Sequence, residues 1–191
     1  MSTRGFVSFV IDGDEKTAYN HSDSYPAGLG VAVLSWLRVA MEDEPRLRAQ
    51  AQALRVVDPN TDPAGDDIEK LSGYLNPYVD GRRERPSWYQ LLRHTQGNPK
   101  NMLAAGAIED ASAFPCDSLF AEYGYVVDLD ANVFEAYKGF QKKPHDRGRF
   151  AGRPGQDEYF PVALVASWPL PSLPSDEEFL AAVDPNEDEE S

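Results

Sequence analysis

Residues 5–19 carry the pattern that most restricts how this chain can fold. An apolar run at 5–11 is followed by Asp12-Gly13-Asp14 and then by a second run at 15–19. Asp-Gly between two such runs is a strong short-range signal for a β-hairpin, because glycine adopts positive φ at no steric cost. The sequence therefore predicts that the chain opens with a hairpin.

A second stretch with a period of two predicts another hairpin. Apolar residues alternate from 119 to 127, an Asp-rich turn occupies 128–132, and a further run follows at 133–140. Residues 159–168 give a fifth strand, while residues 30–105 show helical spacing. We expect an α+β fold, with an antiparallel sheet of about five strands covered by helices from the central region, in a single domain at residues 1–174.

The net charge of −14 is concentrated toward the end of the chain, where eight acids and no base follow position 175. Ser175 and Glu178 form the pattern of a capping box, so residues 175–191 are expected to be a short helix followed by a disordered acidic tail. Acidic surfaces repel the phosphate backbone, and direct binding to nucleic acid is not expected.

Several classes of protein are excluded by simple counts. A single cysteine, Cys116, rules out an intramolecular disulfide framework, and no apolar run of about 18 residues could cross a membrane. The first residues lack the apolar centre of a signal peptide, which predicts a cytoplasmic protein. No cofactor is predicted, and no metal site, because His94 and His145 lie far along the chain from His21.

The best candidate binding site is the polar stretch between the first hairpin and the first helix. Its candidate ligand-binding residues are Asn20, His21, Asp23, Tyr25, Gly28 and Gly30. Glycines before a helix allow backbone N–H groups to turn toward a ligand, and the helix dipole favours an anion there. The sequence predicts a non-catalytic binding or interaction protein for a small anionic ligand or a protein partner. Alternatively, the glycines only permit a tight turn, and His21 holds the loop together.

The order strand, turn, strand and polar loop resembles the start of N-terminal nucleophile hydrolases. This resemblance implies an amide hydrolase in which Ser2 or Thr3, exposed by removal of Met1, is the nucleophile and its own α-amine is the base. Arg4 would then assist, together with polar residues of the loop.

Residues 141–158 form a long basic loop with three glycines. Loops of this length in a compact domain are often functional, so this one is a second candidate contact surface. The other interpretations are a solvated flap, or bases that neutralise the acidic tail or an acidic face of the same molecule.

A wider resemblance covers most of the chain. It rests on the motifs TRG at 3–5, YNHSDSYP at 19–26, GLG at 28–30, YVVDLD at 125–130 and EAYKG at 135–139. In these motifs the chain resembles a group of uncharacterised proteins of actinobacteria and their bacteriophages. The resemblance implies a bacterial or phage origin and a cytoplasmic setting, and it leaves a structural protein of a phage particle as another alternative.

Overall fold

The computed structural model of the protein describes residues 2–81 and 83–184. Its strands, in chain order, are β1 (Gly5–Ile11), β2 (Asp14–Asn20), β3 (Arg55–Val57), β4 (Ala107–Glu109), β5 (Tyr123–Asp128), β6 (Val133–Lys138) and β7 (Ala163–Pro169). Five of them form the main sheet, in the order β2-β1-β5-β6-β7, while β3 and β4 form a separate parallel pair.

Both predicted hairpins are present. β1 and β2 pair antiparallel from Gly5 opposite Asn20 to Ile11 opposite Asp14, and β5 and β6 pair in the same way. Asp12 and Gly13 have φ angles of 53° and 79°. Positive φ at both central residues is what a two-residue type I′ hairpin turn requires. The Asp-Gly signal therefore located this turn correctly.

The α+β class is confirmed, but the sheet is mixed rather than antiparallel throughout. β1 and β5 run in parallel, with Gly5 opposite Tyr123 and Val10 opposite Asp128. Parallel neighbours need a long crossover connection, and the helical segment after β2 supplies it. Alternating hydrophobicity reports which face a residue occupies and carries no information about the direction of the neighbouring strand.

Helices cover one face of the sheet. They are α1 (Val31–Ala40), α2 (Glu44–Ala53), α3 (Gly65–Leu71), α4 (Trp88–Leu91), α5 (Pro99–Ala105) and α6 (Asp176–Val183). The apolar sides of α1, α2, α5 and α6 pack with Val7 and Phe9 of β1 in the largest core cluster. α2 ends at Ala53, and residues 55–57 pair with β4 instead of continuing the helix.

Three helix starts are capped by polar side chains, and one of them is the predicted cap at Ser175. Ser87 and Ser175 accept hydrogen bonds from the backbone N–H groups of Gln90 and Glu178, at 3.3 and 3.2 Å, and both form capping boxes. Asn98 caps α5 in the same way. The helix expected after Ser175 is present, whereas the acidic tail at 185–191 lies outside the described residues.

The basic loop at 141–158 packs on the other face of the sheet. Phe150 is fully buried, and its ring lies 5.6 Å from that of Phe6 and 4.9 Å from that of Tyr137. Val162, just after the loop, completes this smaller core. The loop therefore covers part of this face of the sheet through Phe150, while most of its other residues, such as those at 154–158, are exposed.

Arginines of the same loop pair with carboxylates on the sheet. Arg149 contacts Asp128 at 2.5 Å and Glu135 at 2.8 Å, and its side chain is only 19% exposed. Arg153 forms two hydrogen bonds of 3.0 Å with the carboxylate of Glu15. These pairs agree with the interpretation that the bases neutralise an acidic face of the same molecule.

The tips of the two hairpins are joined by one carboxylate. Asp130 accepts hydrogen bonds from the backbone N–H groups of Asp12 and Gly13, at 2.9 and 2.8 Å. These bonds, the one from Gly13 first, lower the pKa of Asp130 below its ordinary value. Asp128 accepts from the N–H groups of Asp130 and Ala131 within its own turn. Both aspartates are therefore used to build the turns.

Within residues 2–81 and 83–184, no helix has the length and apolar character needed to cross a membrane.

Replacing Arg149 by leucine should destabilise the protein by about 2 kcal/mol, because two partly buried carboxylates would lose their cation. Urea unfolding measures this difference in the free energy of unfolding. Arg147→Leu, an exposed position on the same loop, is the matched control and should change stability by less than about 0.5 kcal/mol. Equal stability of the two variants would contradict the assigned role of the Arg149 pairs.

Candidate functional site

Many of the hydrogen-bonding groups in the polar loop after β2 bond to other groups of the same loop. The side-chain amide of Asn20, a buried residue, donates to the carbonyl of Ser22 at 2.6 Å and to the hydroxyl of Ser24 at 2.9 Å. Ser24 is fully buried, and its carbonyl accepts a hydrogen bond from the hydroxyl of Tyr125 at 2.9 Å. Asn20 is therefore placed as a structural residue that anchors the loop to the sheet.

The two candidate glycines lie in a turn that is closed by its own backbone bonds. Residues Pro26–Gly30 form a single π-helical turn, in which the N–H groups of Gly28 and Gly30 both point to the carbonyl of Tyr25, at 3.0 and 3.5 Å. A Cβ on Gly30 would lie 2.8 Å from the ring of Phe179. Close packing explains this glycine, and these N–H groups are engaged within the turn.

The remaining loop residues face different surroundings. Asp23 is exposed and has a φ of 57°, and Tyr25 is 43% exposed. His21 is partly buried, and its Nδ1 lies 3.0 Å from the hydroxyl of Tyr19. The six predicted residues thus do not converge on one point. Asn20 and Gly30 are interior, Gly28 is half-buried, Asp23 and Tyr25 face solvent, and His21 lines a cleft.

The N-terminal residues lie beside this loop. The hydroxyl of Ser2, which is exposed, donates to the carbonyl of His21, and the carbonyl of Thr3 accepts from the N–H of Ser24 at 3.1 Å. Arg4 places its guanidinium 5.3 Å from the ring centroid of Phe120. Met1, on which the hydrolase interpretation depends, is outside the described residues.

The cleft beside His21 is an open depression of about 530 Å³. Its lining residues are His21, Val79, Asp80, Tyr89 and Arg93. Tyr89 and Arg93 come from α4 and the 3₁₀ turn that follows it, and the guanidinium of Arg93 lies 5.9 Å from the centroid of the Tyr89 ring. The segment after Arg93 meets the polar loop closely, since a Cβ on Gly97 would lie 2.8 Å from the side-chain oxygen of Asn20.

The sequence alone did not identify Arg93 and Tyr89 as candidate site residues. They are four residues apart, a spacing that places two side chains on one face of a helix, and this spacing is the only available signal. Nothing in the linear order indicates that this face meets His21, because the contact depends on how residues 75–98 fold back against the end of β2.

The electrostatics of the cleft are set by two arginines around one phenol. Burial raises the pKa of the Tyr19 hydroxyl, and the nearby guanidinium groups of Arg4 and Arg93 act in the opposite direction. Tyr19 links the two sides of this arrangement, because its hydroxyl also contacts His21. Arg4 and Arg93 therefore bring positive charge to the end of β2, where the carboxylate of Asp80 also lines the cleft.

One polar atom in this region lacks a partner. Arg93 donates from Nη1 to the side-chain oxygen of Gln96 at 2.8 Å, but its Nε is buried and makes no hydrogen bond. Within the described part of the chain it is the only buried side-chain nitrogen or oxygen atom that makes no hydrogen bond. A buried donor without an acceptor costs about 1–3 kcal/mol, so the fold retains an unfavourable feature at the cleft.

A carboxyl group lies on the inner side of Tyr19. Glu109, the last residue of β4, shares a small cavity with Tyr19 and Gln96. Burial, with a further contribution from the nearby Asp80 carboxylate, raises the pKa of Glu109 to about 7. Glu109 is therefore only partly ionised near neutral pH.

In the described ranges, no group of three or more His, Cys, Asp or Glu side chains is placed to hold a metal ion.

Comparison with protein-family models, with curated proteins and with solved structures gives no match for this chain. The resemblances drawn from its motifs remain predictions, and the functional argument depends on the geometry of the cleft.

Replacing Glu109 by glutamine should stabilise the protein at alkaline pH. The folded protein holds the Glu109 proton more tightly than the unfolded chain, so stability is lost as pH rises from the ordinary carboxyl pKa through about 7. At pH of about 8.5 the variant should be more stable by about 2 kcal/mol, and at pH of about 4.5 the difference should vanish. Urea unfolding across this range measures the effect, and a pH-independent difference would contradict it.

Proposed function

We propose that this protein is a non-catalytic binding protein whose ligand is a small anion, bound in the cleft between His21, Tyr89 and Arg93. The observation that carries the proposal is the position of Arg93 in the lining of this cleft, beside His21 and Tyr89, with no carboxylate of the described residues paired to it. A carboxylate or phosphate oxygen is the acceptor that a guanidinium fork binds best, often through two parallel hydrogen bonds. Such a ligand would supply the partner that the folded chain leaves out.

The neighbours of Arg93 support an anionic ligand rather than a cation. Arg4 lies close enough to act on the Tyr19 hydroxyl, and Asp80, the acidic residue of the cleft, is already paired with Arg83 at 2.9 Å. The Nδ1 atom of His21 is engaged with Tyr19, so Nε2 is the atom available to a ligand. The face of Tyr89 adds a flat surface beside the cations.

The size of the cleft supports a small ligand. A volume of about 530 Å³ falls within the usual range for small-molecule sites, and the depression is open to solvent. The polar loop then has a supporting role, because the contact of Asn20 with Gly97 fixes the turn that follows Arg93 against the end of β2.

Arg93→Lys should weaken binding of inorganic phosphate, or of a mononucleotide used as a larger anionic probe, by about tenfold. Lysine keeps the charge but loses the guanidinium fork. His21→Ala should weaken binding as well, whereas Asp23→Ala, in the same loop but outside the cleft lining, is the matched control and should bind like wild type. Isothermal titration calorimetry and ligand-dependent thermal shifts measure these affinities. Equal binding by wild type and Arg93→Lys would overturn the proposal.

The alternative, an N-terminal amide hydrolase, is favoured by one contact. The exposed hydroxyl of Ser2 reaches the carbonyl of His21, which places a candidate nucleophile at the margin of the same cleft. Its mechanism requires that Met1 is removed to free the amine.

The mass of the intact mature protein separates the two functions. If the chain is a binding protein, Ser2→Ala and Thr3→Ala should leave its phosphate affinity unchanged. Neither substitution should then lower any amide cleavage that the wild type shows. Loss of Met1 in the mature protein, together with amide cleavage that either substitution removes, would favour the hydrolase.

A further inference from the structure

A second surface, away from the cleft, lies among α1, α2 and α5. The three helices enclose an apolar groove of about 310 Å³. Its apolar lining includes Trp36 and Val39 of α1, Leu47 of α2, and Leu103 of α5, and two cations also line it, Arg46 of α2 and Lys100 of α5. The ring of Trp36 packs edge-on against Phe9 of the sheet, which fixes the groove floor to the core.

The outer side of α1 has an unusual composition for a surface helix. Its exposed positions Ala32, Ser35 and Val39 carry no charge, although charged residues make up 26% of the chain. Val39 is 66% exposed, the highest value among the aliphatic side chains described. The one charged residue of α1, Arg38, is paired with Asp176. This stripe continues the apolar lining of the groove out to its rim.

The rim of the groove is cationic on a strongly acidic protein. Arg46 and Lys100 are exposed, and neither forms an ion pair with any residue in the described ranges, whereas Arg38 and Arg48 nearby do. The adjacent Asp43 is engaged as the N-cap of α2, where it accepts from the backbone N–H of Arg46. Two cations that flank an apolar floor lack carboxylates of their own.

We infer that this groove binds an amphipathic helix of a protein partner whose apolar stripe is flanked by acidic residues. Helices recognised in this way lay their apolar residues at i, i+3, i+4 and i+7 into a groove between other helices. The apolar lining formed by Trp36, Val39 and Leu103 takes the apolar stripe. Carboxylates on both sides of that stripe pair with Arg46 and Lys100, which fixes the partner's charge and register.

A second copy of this chain fits the surface less well. Docking of two copies through the same face would pack the uncharged α1 stripes together and would offer Arg46 and Lys100 a surface with the same two unpaired cations rather than a set of free carboxylates. Charge complementarity therefore favours a different, acidic helix.

Two designed peptides of about 15 residues test the inference. They share one leucine stripe, which is flanked by glutamates in one peptide and by lysines in the other. Trp36 reports binding by fluorescence, with Trp36→Phe identifying its signal, and calorimetry gives the affinities. The acidic peptide should bind at least about fivefold more tightly than the basic one at about 50 mM salt, and this preference should shrink at about 300 mM.

Substitutions in the protein complete the test. Val39→Glu should abolish binding of the acidic peptide, and Arg46→Glu with Lys100→Glu should reverse the preference between the peptides. Lys142→Glu with Lys143→Glu, exposed cations elsewhere, is the matched control and should change neither affinity. Because all these side chains are exposed, unfolding midpoints should stay close to that of wild type.

Three outcomes would overturn the inference. The first is equal affinity for the two peptides. The second is a wild-type dimer that Val39→Glu dissociates, which would assign the face to self-association. The third is dodecanoate saturating the Trp36 signal without peptide binding, which would assign the groove to a small amphiphile. None of these results bears on Arg93, so the inference and the anion-binding proposal can fail separately.

Discussion

The parallel pairing of β1 with β5 is the contact on which the rest of this structure depends. It places β1 between two other strands, and all seven of its residues are buried. A strand of that kind needs cover on both faces of the sheet. Helices supply one cover, and the loop around Phe150 supplies the other. Gly124 makes the pairing possible, because a Cβ there would lie 2.0 Å from the ring of Phe6 on the neighbouring strand.

The same pairing explains why the polar loop is largely structural. The chain leaves the sheet after Asn20 and returns to it at Tyr123, so the exit must be held firmly while the intervening residues fold elsewhere. Asn20, Ser24 and Tyr125 do this through buried hydrogen bonds that join the exit to β5. Polar side chains of the loop that the sequence suggested for ligand binding therefore form these structural hydrogen bonds instead. The donors that remain without an acceptor belong to segments distant in sequence, Arg93 above all.

Features determined by a few neighbouring residues could be predicted from the sequence. The Asp12-Gly13 turn, the caps at Ser87 and Ser175 and the second hairpin depend on interactions within about four residues. The parallel direction of β5, the pairing of β3 with β4 and the burial of Phe150 depend on contacts between distant segments, for which a single sequence contains no signal. The cleft belongs to this second class: His21 could be proposed from the loop, whereas Arg93 could not.

The distribution of charge, rather than its total, decides what this molecule can bind. Arg149 and Arg153 form ion pairs with carboxylates of the sheet. The buried Lys16 donates hydrogen bonds to backbone carbonyls at the end of α2. Among the cations of the described residues that have no carboxylate partner, Arg93 lines the cleft, and Arg46 and Lys100 line the groove. At physiological ionic strength a charge is screened beyond about 8 Å. The net charge of −14 therefore has little influence beyond that distance, and each of these local sites can select an anionic partner at contact.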